Sequence, residues 1–272
     1  MKKAWIISLC LTCALALPIN IHLVNGDIET QESVEISSGI YCSFLSDEFG
    51  CKQITLADST ESLPILLTDS KSRLVLFKAT DTGTNTLLGT HQAFPQKVTT
   101  KQGDIGFLQG IERRIGGYIT PFPLYHAYGE SLDSMRKGEG FYKDGALVGV
   151  YYRRVPGLKN TGYLFPSQVI YKALKDLKET QKSSQAYLGL LLDSNNYLPV
   201  VVSVRPNSPA EQAGVKQGDV ITQLNGKAVE SYEAFASNVF FLRPESTVNI
   251  QVARGGELVE ISAKPVQHPY FK

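Results

Sequence analysis

One stretch near the end of the chain restricts its fold more than any other feature. Residues 204–226 read V-R-P-N-S-P-A-E-Q-A-G-V-K-Q-G-D-V-I-T-Q-L-N-G. Ser208 predicts a helix N-cap with Pro209 at the first helical position, and Gly214 predicts the left-handed residue that ends a short helix. The closing Asn225-Gly226 pair is typical of a two-residue hairpin turn. The stretch therefore predicts a single helical turn, a strand and a hairpin, in that order.

Two further segments flank this stretch. Tyr187-Leu188-Gly189-Leu190 lies upstream, and its glycine lets backbone approach a ligand closely. Downstream, the sequence predicts a helix from Tyr232 to Leu242. Phe235, Val239 and Leu242 fall on one face of that helix. They either line a ligand groove or are plain core, because amphipathic helices bury such stripes routinely.

This arrangement resembles the PDZ domain, in particular that of the HtrA/Deg proteases, over residues 187–265. The resemblance implies that the loop beginning at Tyr187 binds the C-terminal carboxylate of a partner through the amides of Leu188, Gly189 and Leu190. The bound peptide would continue as an added strand. An apolar pocket for its last side chain would comprise Leu190, Leu192, Phe235, Val239 and Leu242, which implies a preference for hydrophobic C-termini.

Three upstream segments resemble the trypsin-like domain of the same family. Asp69 to Lys78 resembles its D-x-x-x-D-L-A-V-L-K strand, and Lys143 to Val150 resembles the hairpin after its nucleophile. Gly162 to Ser167 resembles its last barrel strand and helix entry. The fold class implied by the resemblance is mainly β with α: a truncated trypsin-like β-barrel domain followed by an α+β PDZ domain.

The catalytic positions of that family are occupied by other residues. Its acid corresponds to Arg73, and a guanidinium cannot accept the N–H of a catalytic imidazole. Its G-N-S-G-G motif corresponds to the segment from Met135 to Phe141, which contains no serine. The one histidine ahead of Arg73 is His22, at the edge of the N-terminal apolar region. The resemblance thus implies a pseudoprotease without catalytic residues.

A second hypothesis keeps the enzyme. His126, Ser131, Asp133 and Ser134 are close in sequence and would have to form a rearranged serine endopeptidase site near His126 and Ser134. Triads, however, are assembled from segments that are distant in sequence. The local G-E-S-L-D string also lacks the final glycine of a nucleophile elbow. We therefore interpret the segment as a polar surface loop.

The first residues have the pattern of an export signal. Lys2-Lys3 precedes an apolar run from Trp5 to Leu15 that is short for a membrane span. Residues 1–26 are predicted to contain the signal peptide, with cleavage after Ala16 or Gly26, and a retained N-terminal anchor is the alternative. The expected location is periplasmic or secreted from a bacterium, with no stable membrane insertion after cleavage.

Cysteine usage agrees with an oxidising compartment. Cys10 and Cys13 fall in the predicted signal, so Cys42 and Cys51 are the two that remain. This even remainder predicts a disulfide between Cys42 and Cys51. Two cysteines do not complete a tetrahedral metal site, and the histidines show no ligand spacing. Neither a metal nor another cofactor is expected.

The chain is expected to divide into two domains. Residues 27–178 are assigned to the trypsin-like domain, 179–186 to a polar linker, 187–265 to the PDZ domain and 266–272 to a tail. A helix entered at Ser167 ends the first domain, with Lys172 among its outward-facing residues.

Composition limits the function further. Hydrophobic residues make up 43% of the chain, charged residues 19%, and the net charge is +1. No polyanion-binding surface is indicated, so nucleic acid is not an expected partner. The first hypothesis is a non-catalytic adaptor or regulator in protein quality control. Its expected partners are C-termini or extended segments of exported proteins, and possible further partners include an active protease that it would regulate. A third hypothesis is an envelope structural protein whose PDZ domain binds an internal strand.

Overall fold

The computed structural model describes residues 16–45, 50–69, 71–82, 86–89, 94–115, 118–194 and 196–269. The predicted signal run, with Cys10 and Cys13, lies outside the described residues. Among the residues that are described, no helix is both long and apolar enough to cross a membrane. Over the same ranges, no three or more histidine, cysteine, aspartate or glutamate side chains are grouped so as to hold a metal ion.

The first part of the structure consists of strands. They are β1 Ile19–Leu23, β2 Ile28–Gln31, β3 Val34–Ser37, β4 Ile40–Phe44, β5 Cys51–Leu56, β6 Ser62–Leu63, β7 Ile65–Asp69 and β8 Leu74–Lys78. These strands form two four-stranded sheets, in the orders β2-β1-β5-β6 and β3-β4-β8-β7.

Strand β1 lies ahead of residue 27, where the trypsin-like domain was expected to begin. Ile19 and Ile21 are fully buried, and the polar residues between them are not. This alternation is typical of a half-buried strand, but it follows directly on the signal-like apolar run, which concealed it. Cleavage after Gly26 would remove β1, whereas cleavage after Ala16 would leave it in the mature chain.

Six further strands close into a barrel. They are β9 Gln96–Thr99, β10 Ile105–Ile115, β11 Tyr118–Tyr128, β12 Gly140–Lys143, β13 Ala146–Arg154 and β14 Thr161–Pro166. Their order around the barrel is β10-β11-β14-β13-β12-β9. The mainly β class predicted from the sequence is confirmed.

The remaining elements mix helices and strands. They are α1 Ser167–Thr180, β15 Ala186–Tyr187, β16 Leu190–Leu192, β17 Val201–Val204, α2 Pro209–Gln212, β18 Val220–Leu224, β19 Lys227–Ala228, α3 Tyr232–Phe240, β20 Val248–Arg254, β21 Glu257–Ala263 and β22 Val266–Gln267. The Ser208 hydroxyl caps α2 by accepting the Glu211 amide at 3.3 Å, and Gly214 has a φ of +89°. The local predictions for this helix and its end are confirmed.

The chain forms two compact units. The first contains the residues up to Leu66, Arg73–Gln109 and His126–Gln168. The second contains Leu67–Ser72, Gly110–Tyr125 and the residues from Val169 onward. This division differs from the boundary that we expected at residue 178, because segments that are distant in sequence join the C-terminal elements.

Buried charges hold the polar segment that was expected to be a linker. Lys172, which was predicted to face outward, is buried beside Asp176, with 2.8 Å between its Nζ and the Oδ2 of the carboxylate. Asp176 also accepts hydrogen bonds from the Ser184 amide at 2.9 Å and the Ser184 hydroxyl at 2.7 Å. The prediction for Lys172 is wrong, because a buried carboxylate one helical turn away supplies its partner.

Part of the segment that was expected to be a tail is a strand. Val266 and Gln267 of β22 pair with Tyr187 and Ala186 of β15. Beyond the strand, the His268 amide donates to the Gln185 carbonyl at 2.7 Å. A two-residue strand leaves no periodic pattern, so the sequence alone ended the domain too early.

The predicted disulfide is not formed in the structure. Cys42 is a buried free thiol on β4, and Cys51 is a free thiol at the start of β5. These two strands belong to different sheets. Burial raises the pKa of the Cys42 thiol to about 12 and that of the Cys51 thiol to about 11, so neither is an activated thiolate at neutral pH.

Candidate functional site

A groove of ≈ 370 Å³ lies between β16 and α3 in the second unit. One wall is the segment from Gln185 to Leu192. The other wall is one face of α3, formed by Tyr232, Phe235, Ala236, Val239 and Phe240. Lys71, Pro121 and His268 complete the lining.

Most residues that were predicted to bind a peptide line this groove. They are Tyr187, Leu188, Gly189, Leu190, Leu192, Phe235 and Val239. Leu242 does not line it, because α3 ends at Phe240 and Leu242 is buried in the core beyond the helix. Sequence reasoning missed Lys71, Pro121 and His268, since they come from segments far from the loop and carry no local signal.

The apolar residues of the groove have two different roles. Leu188, Leu192 and Phe235 are buried members of the hydrophobic core, so their side chains support the groove from beneath. Leu190 and Val239 are only partly buried and pack against that core from the groove side. The helical stripe on α3 therefore serves both as core and as a pocket wall.

The peptide planes on either side of Gly189 are oriented by hydrogen bonds to their carbonyl groups. The Leu188 carbonyl accepts the Ala210 amide at 2.9 Å, and the Gly189 carbonyl accepts the Arg205 amide at 2.8 Å. In a trans peptide the N–H points opposite to the C=O of the same plane. The N–H groups of Gly189 and Leu190 therefore point away from the body of the domain, as a carboxylate cradle requires.

Strand β16 offers an edge next to this turn. Leu190 lies opposite Val204 in an antiparallel pair with β17. The neighbouring pair, Gly189 and Arg205, is hydrogen-bonded, because the Arg205 amide donates to the Gly189 carbonyl. Hydrogen-bonded and non-hydrogen-bonded pairs alternate along an antiparallel ladder, so Leu190 and Val204 form a non-hydrogen-bonded pair. The N–H and C=O of Leu190 therefore both point away from β17. An extended peptide can pair with that edge as an added strand.

Close packing fixes the turn at Gly189. This residue has a φ of +81°, and a Cβ built on it would lie 2.2 Å from Ser208 Cβ and 2.6 Å from Ser208 Oγ. Both the backbone conformation and the contact require glycine. The N-cap of α2 and the turn of the groove are therefore packed directly on each other.

Arg73, which the resemblance puts at the acid position, and His22, the one histidine ahead of it, belong to different parts of the first unit. Arg73 has a φ of 58° and directly precedes β8, and its carbonyl accepts the Leu45 amide at 2.7 Å. His22 lies on β1, and its Nε2 is 3.4 Å from Thr55 Oγ1 on β5. The sheet that contains β1 does not contain β8.

The segment from Met135 to Phe141 uses its amides internally. The Gly138 amide donates to the Tyr151 carbonyl at 2.9 Å. The Glu139 amide donates to the Arg136 carbonyl at 3.3 Å. An oxyanion hole needs amides that point at the reacting carbonyl, and these two amides are already engaged.

The same segment packs on the backbone near Glu32. A Cβ at Gly138 would lie 1.8 Å from the Glu32 carbonyl oxygen, and the Glu32 amide donates to the Lys137 carbonyl at 2.8 Å. Burial, and then the charge of Glu32, raises the pKa of the Glu139 carboxyl to about 7.

The cluster around His126 is not assembled as a triad. The Ser134 hydroxyl donates to the Ser131 carbonyl at 3.0 Å, and Asp133 pairs with Arg154 at 3.2 Å. In the described part of the chain, no hydrogen bond joins His126 to either serine.

Comparison with known proteins shows what parts of the chain are similar to. Residues 186–264 match the PDZ domain family. A protein of Marinomonas sp. (strain MWYL1), named probable periplasmic serine endoprotease DegP-like, is 32% identical over 140 residues, which cover 46% of this chain and 30% of that protein. A protein of the same name from Chlamydia pneumoniae is 29% identical over 141 residues, 46% of this chain and 29% of that protein. The chain therefore carries a PDZ domain, and it resembles HtrA-type proteases.

Solved structures establish the fold of this HtrA-like chain. The matched stretch spans only 30% of the length of the first curated relative. The structure titled HtrA-type protease AlgW with tripeptide superposes with a TM-score of 0.70 at 16% identity, and covers 93% of this chain and 94% of that chain. The serine endoprotease from Yersinia pestis gives a TM-score of 0.61 at 16% identity, with the same coverage. The fold is a trypsin-like β-barrel domain followed by a PDZ domain.

Gly189→Ala tests how tightly the groove turn is packed. Gly214→Ala is the matched control, because Gly214 also has a positive φ but has no atom near a Cβ. The control should lower the free energy of unfolding of this HtrA-like chain by about 1–2 kcal/mol, from backbone strain alone. Gly189→Ala should cost at least about 1 kcal/mol more, because its Cβ overlaps Ser208. Urea unfolding measures both, and equal losses would contradict the packing.

Proposed function

We propose that this chain captures the C-termini of other polypeptides in the groove between β16 and α3. The observation that carries the proposal is the orientation of the Gly189 and Leu190 amides, which point away from α2 and β17 at a turn that lines the groove. A terminal carboxylate provides the acceptor oxygens for two such donors. The rest of the peptide would pair with the edge of β16.

The walls of the groove favour an apolar last residue. Leu190, Val239 and Phe240 border the space next to the two amides, with Ala236 between them on α3. Alanine leaves room that a leucine, valine or phenylalanine side chain of the ligand would fill. Burial of such a side chain stabilises the complex by roughly 1.5–3 kcal/mol.

We further propose that the trypsin-like domain is a non-catalytic scaffold. Two observations support this, together with the resemblance that puts Arg73 at the acid position: His22 lies on β1 beside Thr55, and the Gly138 amide is engaged with Tyr151. Loss of a single triad member already costs about 10⁴ in rate. Peptide capture, tethering or regulation would then be the function that remains.

The proposed setting is outside the cytoplasm. The signal-like N-terminal run and the relatives named as periplasmic support an exported protein that acts in quality control. Its ligands would be C-terminal or extended segments of exported proteins, or an active protease that it regulates. The uncharged, mainly apolar walls of α3 suit exposed hydrophobic ends of such proteins.

An active serine endopeptidase is the second candidate function, since the relatives carry that name. It requires a reactive serine, and Ser131 and Ser134 are the candidates beside His126. We expect no labelling of the folded protein by a fluorophosphonate probe, because in the described part of the chain no hydrogen bond joins His126 to either hydroxyl. Labelling that Ser131→Ala or Ser134→Ala abolishes would establish the enzyme instead.

Peptide binding tests the first candidate. In fluorescence anisotropy, the full chain should bind a labelled peptide that ends in a free leucine at least about tenfold more tightly than its amidated form, which corresponds to about 1.4 kcal/mol. Ala236→Phe should weaken binding of the free acid by a similar factor, because the ring fills the pocket. Ser237→Phe is the matched control, since Ser237 faces a different depression.

Two results would count against carboxylate capture. Equal affinity for the free acid and the amide would indicate binding of an internal strand. Equal effects of Ala236→Phe and Ser237→Phe would place the ligand elsewhere.

A further inference from the structure

Two basic side chains from outside the matched PDZ range line one end of the groove. Lys71 comes from the loop between β7 and β8, and His268 follows β22. The His268 ring contacts the Tyr187 ring, with centroids 5.0 Å apart. Tyr187 precedes the turn at Gly189 by two residues, and the charge of Lys71 acts on His268, so both basic residues line the groove that contains the turn.

Asp69 and Gln185 hold this arrangement together. The buried Asp69 carboxylate accepts hydrogen bonds from the Lys71 amide at 3.0 Å and the Ser72 hydroxyl at 2.7 Å. Gln185 Nε2 donates to Asp69 at 3.3 Å, and the Gln185 carbonyl accepts the His268 amide at 2.7 Å. Gln185 therefore anchors both the loop that carries Lys71 and the segment that carries His268.

The charges at this end of the groove favour an anion. Partial burial lowers the pKa of Lys71, and the nearby Asp69 charge only partly opposes this. Burial, and then the charges of Lys71 and Arg205, lower the pKa of His268 below its ordinary value. An incoming carboxylate would stabilise the charged form of either side chain.

We propose that Lys71, with His268 beside it, determines specificity for a free C-terminus by binding the peptide carboxylate together with the amides of Gly189 and Leu190. This inference rests on the proposed peptide-binding function. The ammonium group forms an ion pair as well as a hydrogen bond with an ionised carboxylate, whereas the carbonyl of an amidated terminus is only a neutral acceptor. Amidated or internal segments lose that ion pair and keep their strand pairing, so Lys71 separates the two classes of ligand.

The test combines Lys71→Gln with amidation of the peptide in the full chain. Lys71→Gln should weaken binding of the free-acid leucine peptide about five- to tenfold and leave the affinity for the amidated peptide unchanged. Lys227→Gln is the matched control, because it removes the same charge from the other depression beside α3. Lys71→Arg, which keeps the charge, should retain most of the preference.

The comparison of Lys71→Gln with the parent chain, each with the free-acid and the amidated peptide, tests the role of Lys71 and the proposed capture of C-termini separately. If the parent chain prefers the free acid and Lys71→Gln keeps the full preference, the role of Lys71 is overturned and peptide capture stands. If the parent chain does not prefer the free acid, carboxylate capture itself fails. Thermal melting of the three variants checks that a loss of affinity does not come from a loss of folding.

Discussion

The packing of Gly189 on Ser208 is the contact on which the candidate binding site depends. It sets the left-handed backbone at Gly189, and the carbonyls on both sides then bond to Ala210 and Arg205. With both carbonyls turned inward, the two following amides have to point away from α2 and β17. One glycine, packed against the side chain of a helix N-cap, thus orients two successive backbone amides in a short loop.

Buried polar groups then tie distant segments to this loop. Asp69 connects the loop before β8 to Gln185, and Asp176 connects α1 to Ser184. Each carboxylate is nearly inaccessible and accepts several hydrogen bonds, which makes its burial tolerable. Lys71 lies two residues before Arg73, so the proposed carboxylate contact is made from the loop that leads into β8.

The sequence was informative where structure is local. Ser208, Gly214 and Asn225-Gly226 act through their own backbone, and the elements around them match the prediction. The sequence did not predict contacts between segments that are distant along the chain. Lys71 and His268 line the same groove although they are far apart in sequence. Lys172 shows the same limit, because helical spacing alone cannot reveal a buried carboxylate partner. Strand β1 was not recognised because it directly follows the apolar run of the predicted signal. An even number of cysteines does not reveal that Cys42 and Cys51 lie on strands of different sheets.

The orientation of the Gly189 and Leu190 amides can be tested directly by NMR. We would label the full chain with ¹⁵N and titrate it with a leucine-ending peptide, first as the free acid and then as the amide. We expect the Gly189 and Leu190 amide protons to move downfield with the free acid, because they donate to a carboxylate, and to move far less with the amide. Equal shifts with both peptides, or shifts confined to residues outside the groove, would contradict carboxylate capture by this turn.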